Sequence, residues 1–252
     1  METAKPLIER LKDEKLHKIS GGIYNKLQVD MAYNSNHIEG SRLTHDQTRY
    51  IYETHTFEST DPVRVDDVTE TINHFRCFDY MMDHYDEPLS EDLIKHLHYL
   101  LKNNTFSAQS AEAVVGDYKK LPNYVGEIQT SQPEDVHQNM SALIHKYNRK
   151  AKSDFDDILG FHADFEHIHP FYDGNGRVGR LIMFKECLKN DIVPFIITDN
   201  YKYYYLRGLN EWQTGGEKGY LRDTCLLMQD NMKNTLEYFK IPYDTEEDPD
   251  KQ

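Results

Sequence analysis

Apolar residues recur every three or four positions through most of the chain, which is the period of helices that bury one face. Up to residue 90 this spacing predicts one or two helices within 5–34, broken near Gly21 and Gly22, and further helices over 25–39, 44–57 and 66–86. Gly40 stands where a helix commonly ends, and Thr44 is a residue type that commonly caps a helix start. The first third of the chain is therefore predicted to be helical.

The same spacing continues after Ser90, a second predicted N-cap. It predicts helices over residues 93–103, 134–152, 154–169, 177–190, 202–212 and 219–239. Residues 110–133 differ, because short β-prone runs alternate there with Gly and Pro, a pattern typical of a β-hairpin or flap. We predict an all-α bundle with a small β-hairpin flap, divided into an N-terminal helical region (1–89), a core (90–240) and an acidic tail (241–252).

The composition narrows the class of protein. The 252 residues carry a formal net charge of −14, which argues against general nucleic-acid binding because phosphate contacts need a basic surface. The N-terminus is charged, and no run approaches the roughly 18 apolar residues of a membrane helix, so a soluble, cytoplasmic protein is expected. The three cysteines lie far apart without CxxC spacing and are expected to be buried free thiols.

One glycine-rich polar stretch, His169 to Arg180 (HPFYDGNGRVGR), has little to bury. Gly174 and Gly176 can adopt positive φ, which lets neighbouring backbone N–H groups converge on one point. Helical spacing resumes after this turn, and a helix N-terminus is a favourable anion site. Arg177 and Arg180 fall on its first turn, where cations oppose the helix dipole and so indicate a bound anion. We interpret the stretch as a cradle for a polyphosphate.

Two side chains of this stretch have the chemistry that a phosphoryl reaction needs. His169 can accept a proton from a substrate hydroxyl at neutral pH without a large pKa shift, which suits a general base. Asp173 could simply cap the turn, but one carboxylate together with phosphate oxygens is also the usual way to hold Mg²⁺. The pattern predicts a base and a metal ligand beside the cradle.

Two other patterns overlap this stretch. GNGRVG matches the dinucleotide-binding motif G-x-G-x-x-G, with Asp199 20 residues after its last glycine, but that motif follows a strand and the preceding residues are helix-spaced. His162, His167 and His169 point to different faces of a helix, which disfavours a shared metal ion. The stretch also lacks the lysine of a P-loop.

At every fixed position, HPFYDGNGRVGR resembles the Fic-domain signature H-x-F-x-[DE]-G-N-G-R-x-x-R. GDYKKLPNYVGEIQTSQPEDV before the motif is similar to the Fic flap, and YYYLRGLNEWQTGG after it is similar to the region that contacts the nucleotide base. The resemblance covers roughly residues 90–240. It implies a Fic-like helical bundle that transfers AMP from ATP to a Ser, Thr or Tyr hydroxyl of a target protein and releases pyrophosphate.

The resemblance also implies a role for each motif residue. The motif histidine, His169, would deprotonate the acceptor hydroxyl, and the motif acid, Asp173, would bind Mg²⁺, with Mn²⁺ as the alternative metal. The remaining positions would hold the phosphates of ATP: Gly174, Asn175, Gly176 and Arg177 the α- and β-phosphates, and Arg180 the γ-phosphate.

Two contact regions follow from the resemblance, a flap that binds the target backbone by strand addition and a segment that contacts adenine. The candidates are Asn123, Tyr124 and Val125 in the flap, and Tyr205 and Gln213 for adenine. Lys119 and Lys120 stand where arginine is common in the family, so the contact made there is less defined.

An upstream segment, Ser35-Asn-His-Ile-Glu39-Gly40, resembles the inhibitory motif [ST]-x-x-x-E-[GN] of self-restrained Fic proteins. An anion in the last turn of a helix opposes the dipole at a cost of roughly 0.3–1 kcal/mol, so Glu39 is expected to have a cationic partner. The resemblance implies that this partner is Arg180, and that the pair keeps the γ-phosphate from its productive place. Ser35, Glu39 and Gly40 are therefore assigned to an intramolecular inhibitory element.

The sequence thus predicts a self-inhibited, Mg²⁺-dependent protein adenylyltransferase. Two alternatives stay open: transfer of another group, such as UMP or phosphocholine, on the same motif, and a regulator that binds nucleotide without catalysis. Removal of AMP from modified targets, with Glu39 orienting a water molecule, is a further hypothesis. The expected partners are ATP, a target protein with an acceptor hydroxyl, the protein itself as a further acceptor, and a second copy in a homodimer, but no nucleic acid or membrane.

Overall fold

The computed structural model of the protein describes residues 2–110, 112–126 and 128–243. Most of the tail assigned to residues 241–252 lies outside these ranges. Among the described residues, no helix is both long enough and apolar enough to cross a membrane.

The described residues are mostly helical, as predicted. The helices are α1 (Lys5–His17), α2 (Ile23–Ile38), α3 (His45–Thr54), α4 (Val65–Asp83), α5 (Glu91–Lys102), α6 (Pro133–Asn148), α7 (Phe155–Ile168), α8 (Asn175–Lys189), α9 (Lys202–Gln213) and α10 (Gly219–Tyr238). Two 3₁₀ turns occupy Ser107–Gln109 and Asp199–Tyr201. The predicted all-α bundle is confirmed.

Local sequence signals account for several helix boundaries. The Thr44 hydroxyl accepts the backbone N–H of Gln47, whose side chain accepts the backbone N–H of Thr44, which forms a capping box at the start of α3. Ser90 caps α5 in the simpler way, by accepting from Leu93 N. At the end of α2, Gly40 adopts φ +94°, a value that favours glycine, so the predicted stop is confirmed.

The predicted small β-hairpin flap is confirmed. Strand β1 (Tyr124–Val125) pairs antiparallel with β2 (Ile128–Gln129). Pro133 begins α6, and the other described residues of the 110–133 segment are turns and irregular backbone. β-Propensity alone does not make a strand, because a strand also needs a partner, and among the described residues of this segment these four have one.

Helix α8 is the centre of the bundle. Every residue from Arg177 to Leu188 is buried, and α2, α4, α5 and α7 all pack against it. A helix that is enclosed on all sides has no solvent face, which explains why α8 shows no amphipathic pattern. Leu7 and Leu11 of α1 belong to the same hydrophobic core as Leu181 and Phe184 of α8. Helix α1 therefore packs onto the same core as α8, whereas Ala32, Ile51 and Phe75 belong to a second, smaller cluster.

Candidate active site

The predicted base, His169, lies directly after the last turn of α7. Its backbone is left-handed (φ +51°), and its N–H bonds to the carbonyl of Phe165. Its Nδ1 lies 3.3 Å from the carbonyl oxygen of Glu166. Because a carbonyl can only accept, Nδ1 carries the hydrogen, and the lone pair is left on Nε2.

The environment of His169 favours its neutral form. Burial, and then the positive charge of Lys119, lower the pKa of His169 from 6.5 to about 4, although the carbonyl of Glu166 and the carboxylates of Glu39 and Asp173 act in the opposite direction. The imidazole is therefore unprotonated at neutral pH and able to take up a proton.

The loop after His169 is held by the side chain of Asn175. This amide accepts from Phe171 N (2.8 Å) and donates to Phe171 O (2.8 Å), so it fixes the turn from both sides. The Phe171 ring is fully buried and stacks on His98 with 3.9 Å between ring centroids. Asn175 was predicted to bind phosphate, and its side chain instead shapes the loop, which leaves its backbone N–H at the start of α8 for that role.

Two glycines make room at the start of α8. Gly174 is the N-cap and has φ +87°. A Cβ on Gly176 would lie 2.4 Å from Glu39 Oε1 and 2.8 Å from Arg180 Nη1. Glycine at position 176 thus leaves room for the Glu39 and Arg180 side chains to meet beside the first turn of α8.

The predicted metal ligand, Asp173, belongs to a network of charges. It accepts from Lys102 Nζ (2.6 Å) and lies 3.3 Å from Arg177 Nη2. Glu70 joins the same two cations, at 2.5 Å from each. Although burial raises the pKa of Asp173, the nearby charges of Arg177 and Lys102 lower it more, and the net result is a pKa well below the ordinary value.

Sequence reasoning missed Glu70 and Lys102. They lie on α4 and α5, far from the motif in sequence, and each looks like an ordinary charge on an amphipathic helix. Lys102 is only 4% exposed, however, and Asp66 on α4 holds the backbone of Phe106 and Ser107 beyond it. The end of α5 is therefore tied to α4 at this site.

The predicted inhibitory element meets the motif as expected from the resemblance. Arg180 Nη2 donates to Glu39 Oε1 (2.8 Å) and to the carbonyl of Ser35 (2.9 Å), and Arg180 Nε donates to Ser35 Oγ (3.0 Å). Burial raises the pKa of Glu39, but Arg180 and Arg177 lower it more, so the carboxylate is ionised. Gly40 ends the helix immediately after Glu39.

Buried polar side chains of α7 and α9 lie beside Arg180. Tyr205 is 1% exposed, its ring centroid lies 5.9 Å from the guanidinium carbon of Arg180, and its hydroxyl lies 2.7 Å from His162 Nε2. Glu166 is also buried, which raises its pKa to about 8. The space for Glu166 and His162 exists because residue 179 is glycine, where a Cβ would lie 2.5 Å from Glu166 Oε1.

This position of Tyr205 does not fit the direct contact with adenine that the sequence suggested. The exposed aromatic side chains of α9 are instead Tyr203 and Tyr204. Gln213, the second adenine candidate, is the last residue of α9 and is partly exposed.

The flap residues differ in what they present. The amide of Asn123 is occupied inside the protein, since it donates to Phe171 O (3.0 Å) and accepts from Lys119 Nζ (2.6 Å). The side chain of Tyr124 is 63% exposed. The backbone of Val125 is part of β1, and its side chain lies outside the described part of the structure.

The residues present fit a magnesium ion that is shared with a phosphorylated ligand. In the described ranges no group of three or more His, Cys, Asp or Glu side chains could hold a metal alone. The Asp173 side chain is 52% exposed, however, and Mg²⁺ is commonly held by one or two carboxylates, water and substrate phosphates. A metal ion bound to Asp173 would either share the carboxylate with the Lys102 ammonium or displace the ammonium from the carboxylate.

Comparison with known proteins adds a family context. Residues 88–187 match the sequence model of the Fic/DOC family. The chain is 26% identical to the protein adenylyltransferase Fic of Nematostella vectensis over 255 aligned positions, which covers 88% of this chain and 55% of that protein. The corresponding values for the protein adenylyltransferase Fic of Drosophila grimshawi are 26% identity, 82% and 42%. The chain thus spans about half the length of the curated relatives it matches.

Solved structures show the same fold. A Fic-domain-containing signaling protein from Bacteroides thetaiotaomicron superposes with a TM-score of 0.72 at 22% identity, and the match covers 91% of this chain and 94% of that protein. Fic-1 from C. elegans gives a TM-score of 0.68 at 19% identity, covering 92% of this chain and 71% of that one. At these identities the likeness concerns the fold.

Proposed function

Because residues 88–187 match the Fic/DOC family model, we propose that the protein is a protein adenylyltransferase, which transfers AMP from ATP to a Ser, Thr or Tyr hydroxyl of a target protein. One observation carries the proposal. A neutral histidine stands beside a helix N-terminus whose first two turns hold two buried arginines, Arg177 and Arg180. The relatives named protein adenylyltransferase Fic support the same activity.

The chemistry follows from what each group can do. The acceptor oxygen attacks the α-phosphorus of ATP, the bond from that phosphorus to the bridging oxygen breaks, and pyrophosphate leaves. The proton of the hydroxyl passes to Nε2 of His169, whose tautomer is set by the Glu166 carbonyl. Because the imidazole starts neutral, no prior loss of a proton is needed at neutral pH.

The two arginines would neutralise the phosphates. Arg177 now contacts Glu70 and Asp173, and Arg180 contacts Glu39, so carboxylates occupy the directions from which phosphate oxygens would approach. A guanidinium binds a phosphate oxygen through the same N–H groups that bind a carboxylate. Backbone N–H groups of Asn175 and Gly176 at the start of α8 add donors for the α- and β-phosphates.

Asp173 is the residue that would hold Mg²⁺, which supplies charge neutralisation on the phosphates when bound. Its depressed pKa keeps the carboxylate ionised at neutral pH.

Self-inhibition is part of the proposal. Arg180 is the arginine assigned to the γ-phosphate, and its Nη2 is shared between Glu39 and the carbonyl of Ser35. A γ-phosphate must compete with an ionised carboxylate 2.8 Å away. ATP that binds without this arginine would place its α-phosphorus out of line with the acceptor.

The target would bind along the flap. Tyr124 and Val125 belong to β1 of a two-stranded hairpin, and a short hairpin offers an outer edge that can pair with an extended segment. Asn123 would support the flap rather than contact the target, because its amide donates to the carbonyl of Phe171. Gln213 stays the candidate for adenine, while Tyr205 would act through its support of Arg180.

The position of the label in ATP provides the test. The 252-residue Glu39→Gly protein is mixed with a protein extract and with ATP labelled at the α- or the γ-phosphate. Adenylyl transfer predicts covalent label from the α position only. Label from the γ position would indicate a phosphoryl transferase. In a parallel reaction with α-labelled UTP, label from UTP but not from ATP would indicate a different nucleotide donor. No label with ATP bound would favour a regulator without catalysis.

A further inference from the structure

Lys119 is a buried lysine that sequence analysis left without a defined role. Its side chain is 2% exposed, and among the described residues its ammonium contacts only uncharged oxygens. The partners are Asn123 Oδ1 (2.6 Å), Thr130 Oγ1 (2.6 Å) and the carbonyl of Ile168 (3.4 Å). A buried cation without a counter-ion is costly, so its position calls for an explanation.

The three partners define what this ammonium connects. Asn123 directly precedes β1, and Thr130 directly follows β2. Ile168 is the last residue of α7, next to His169 in the chain. One ammonium thus joins both ends of the hairpin to the residue before the base.

Backbone contacts reinforce the same connection. The N–H of Lys119 donates to the carbonyl of Pro170 (2.9 Å), on the other side of His169. Thr130 Oγ1 also donates to the Asn123 carbonyl oxygen (2.9 Å) and lies 2.6 Å from Asn123 Oδ1. The flap and the His169 loop therefore form one hydrogen-bonded unit, with Lys119 at its centre.

The charge of Lys119 also acts on His169. The ionisable side chains that face the imidazole are Glu166 on α7, Glu39 after α2, Asp173 before α8, and Lys119. The carboxylates of Glu39 and Asp173 favour the imidazolium, and Lys119 opposes it. Burial lowers the pKa of Lys119 itself to about 8, so the ammonium is still mostly charged at neutral pH.

On the function proposed above, we propose that Lys119 is a positioning residue for adenylyl transfer. Its ammonium ties the target-binding flap to the His169 loop, and its positive charge, held against the residue before the base, adds to burial in opposing protonation of the imidazole. Lys119 does not touch the reacting atoms and acts through His169 and the hairpin.

A purely structural lysine and a positioning lysine differ in what they do to His169. A structural role predicts that replacement of Lys119 lowers stability and leaves the titration of the imidazole unchanged. A positioning role predicts that loss of the Lys119 charge raises the pKa of His169. A lysine-to-arginine change keeps the charge and should keep that pKa.

The decisive experiment is an NMR titration of His169 in the 252-residue protein, with its signal assigned through a His169→Gln variant. In Lys119→Met the pKa of His169 should rise by about half a unit or more, because a nearby positive charge is lost. Lys119→Arg should keep the wild-type value. Lys120→Met, which removes an exposed neighbouring charge, serves as the matched control and should also leave it unchanged. An unchanged pKa in Lys119→Met overturns the proposal.

A second variant guards against misfolding of Lys119→Met. Asn123→Asp keeps the hydrogen bond to Lys119 and places a negative charge against the ammonium, so His169 should again titrate at higher pH. Thr130→Val removes one hydrogen bond of the ammonium without a change of charge, so it should speed hydrogen exchange in the flap and leave the His169 titration in place. A shift in Thr130→Val equal to that in Asn123→Asp would contradict the electrostatic part.

These measurements do not depend on turnover. If the His169 titration shifts but the Glu39→Gly protein transfers no label, Lys119 still positions His169 and the adenylyltransferase assignment is rejected. If label is transferred, the acid limb of the pH–rate profile should shift to higher pH in Lys119→Met and stay at the same pH in Lys119→Arg.

Discussion

The carboxylate of Glu39 and the guanidinium of Arg180 meet at 2.8 Å, although 141 residues separate them in the chain. Arg180 is 3% exposed, and Ser35, one helical turn before Glu39, takes up two more of its N–H groups. The end of α2 therefore encloses this arginine. Any anion that is to reach Arg180 must first move Glu39 aside.

This arrangement predicts a difference between ATP and ADP. In wild-type protein Arg180 is occupied, so a γ-phosphate gains little and the two nucleotides should bind with similar affinity. In Glu39→Gly the arginine is free, and ATP should bind about tenfold or more tightly than ADP, which corresponds to about 1.4 kcal/mol. Calorimetry with a non-hydrolysable ATP analogue measures this ratio. The control is Glu58→Gly, which replaces an exposed glutamate between α3 and α4. An equal ratio of ATP to ADP affinity in all three proteins would refute the account.

His74 on α4 predicts a pH dependence of stability. It is fully buried, its two ring nitrogens have no hydrogen-bond partner in the described structure, and burial, with help from Arg177 and Arg180, lowers its pKa from 6.5 to about 3. Between these pH values the unfolded chain binds a proton that the folded protein does not. The free energy of unfolding should therefore fall as the pH falls, by up to about 1.4 kcal/mol per pH unit from this residue.

Replacement of His74 by leucine isolates this contribution. Leucine cannot titrate, and the replacement removes no hydrogen bond of the described structure, so His74→Leu should be about as stable as wild type at pH 7. Between pH 7 and pH 5 its free energy of unfolding should fall by about 2 kcal/mol less than that of wild type. Urea unfolding followed by circular dichroism at both pH values gives the comparison. Parallel losses in the two proteins would show that His74 does not titrate on unfolding.

Gly179 predicts a steric penalty. A Cβ there would lie 2.5 Å from Glu166 Oε1 and 2.9 Å from His162 Cε1, both buried, so Gly179→Ala should lower the free energy of unfolding by about 1–3 kcal/mol. Gly160 is the matched control, because it also lies in a helix and its Cβ would meet only Trp212 at 3.6 Å. Gly160→Ala should be neutral or stabilising by up to about 1 kcal/mol. Equal effects of the two changes in chemical unfolding would reject the explanation.

Lys102 predicts an effect on metal binding. Its ammonium lies between Glu70 and Asp173, so in Lys102→Met two carboxylates lose a shared cation and Mn²⁺ or Mg²⁺ should bind several-fold more tightly. Electron paramagnetic resonance of Mn²⁺ measures this directly. Lys95→Met, which breaks the more exposed pair with Asp117, should leave metal affinity unchanged. Equal or weaker binding in Lys102→Met would mean that Lys102 does not compete with the metal.

Much of the fold was accessible from the sequence because its signals are local. Helical spacing gives α4 and α7, and capping residues such as Thr44 and Ser90 mark where helices begin. For the helices a short window of residues contains the information. The Glu39–Arg180 pair was expected only from the resemblance of two separate motifs to Fic signatures, because the residues alone indicated just a cationic partner for Glu39.

The rest depends on packing between distant segments. Glu70 and Lys102 look like solvent-facing charges until α4 and α5 are placed beside the motif. Tyr205 is one of three consecutive tyrosines, and only its four-residue spacing from the buried Leu209 marks it as the inward-facing one. That signal was present in the sequence and was outweighed by the resemblance. The bounds of the hairpin within 110–133 could not be predicted, because β-prone residues form a strand only where a partner is available.

The central claim is that Glu39 restrains an adenylyltransferase whose base is His169. It is tested most directly by transfer of label from α-labelled ATP to protein in wild type, Glu39→Gly, and Glu39→Gly combined with His169→Ala. The account predicts strong labelling in Glu39→Gly and little in the other two. Equal labelling of wild type and Glu39→Gly would contradict the inhibitory role of Glu39, and undiminished labelling in the double variant would contradict the assignment of His169 as the base.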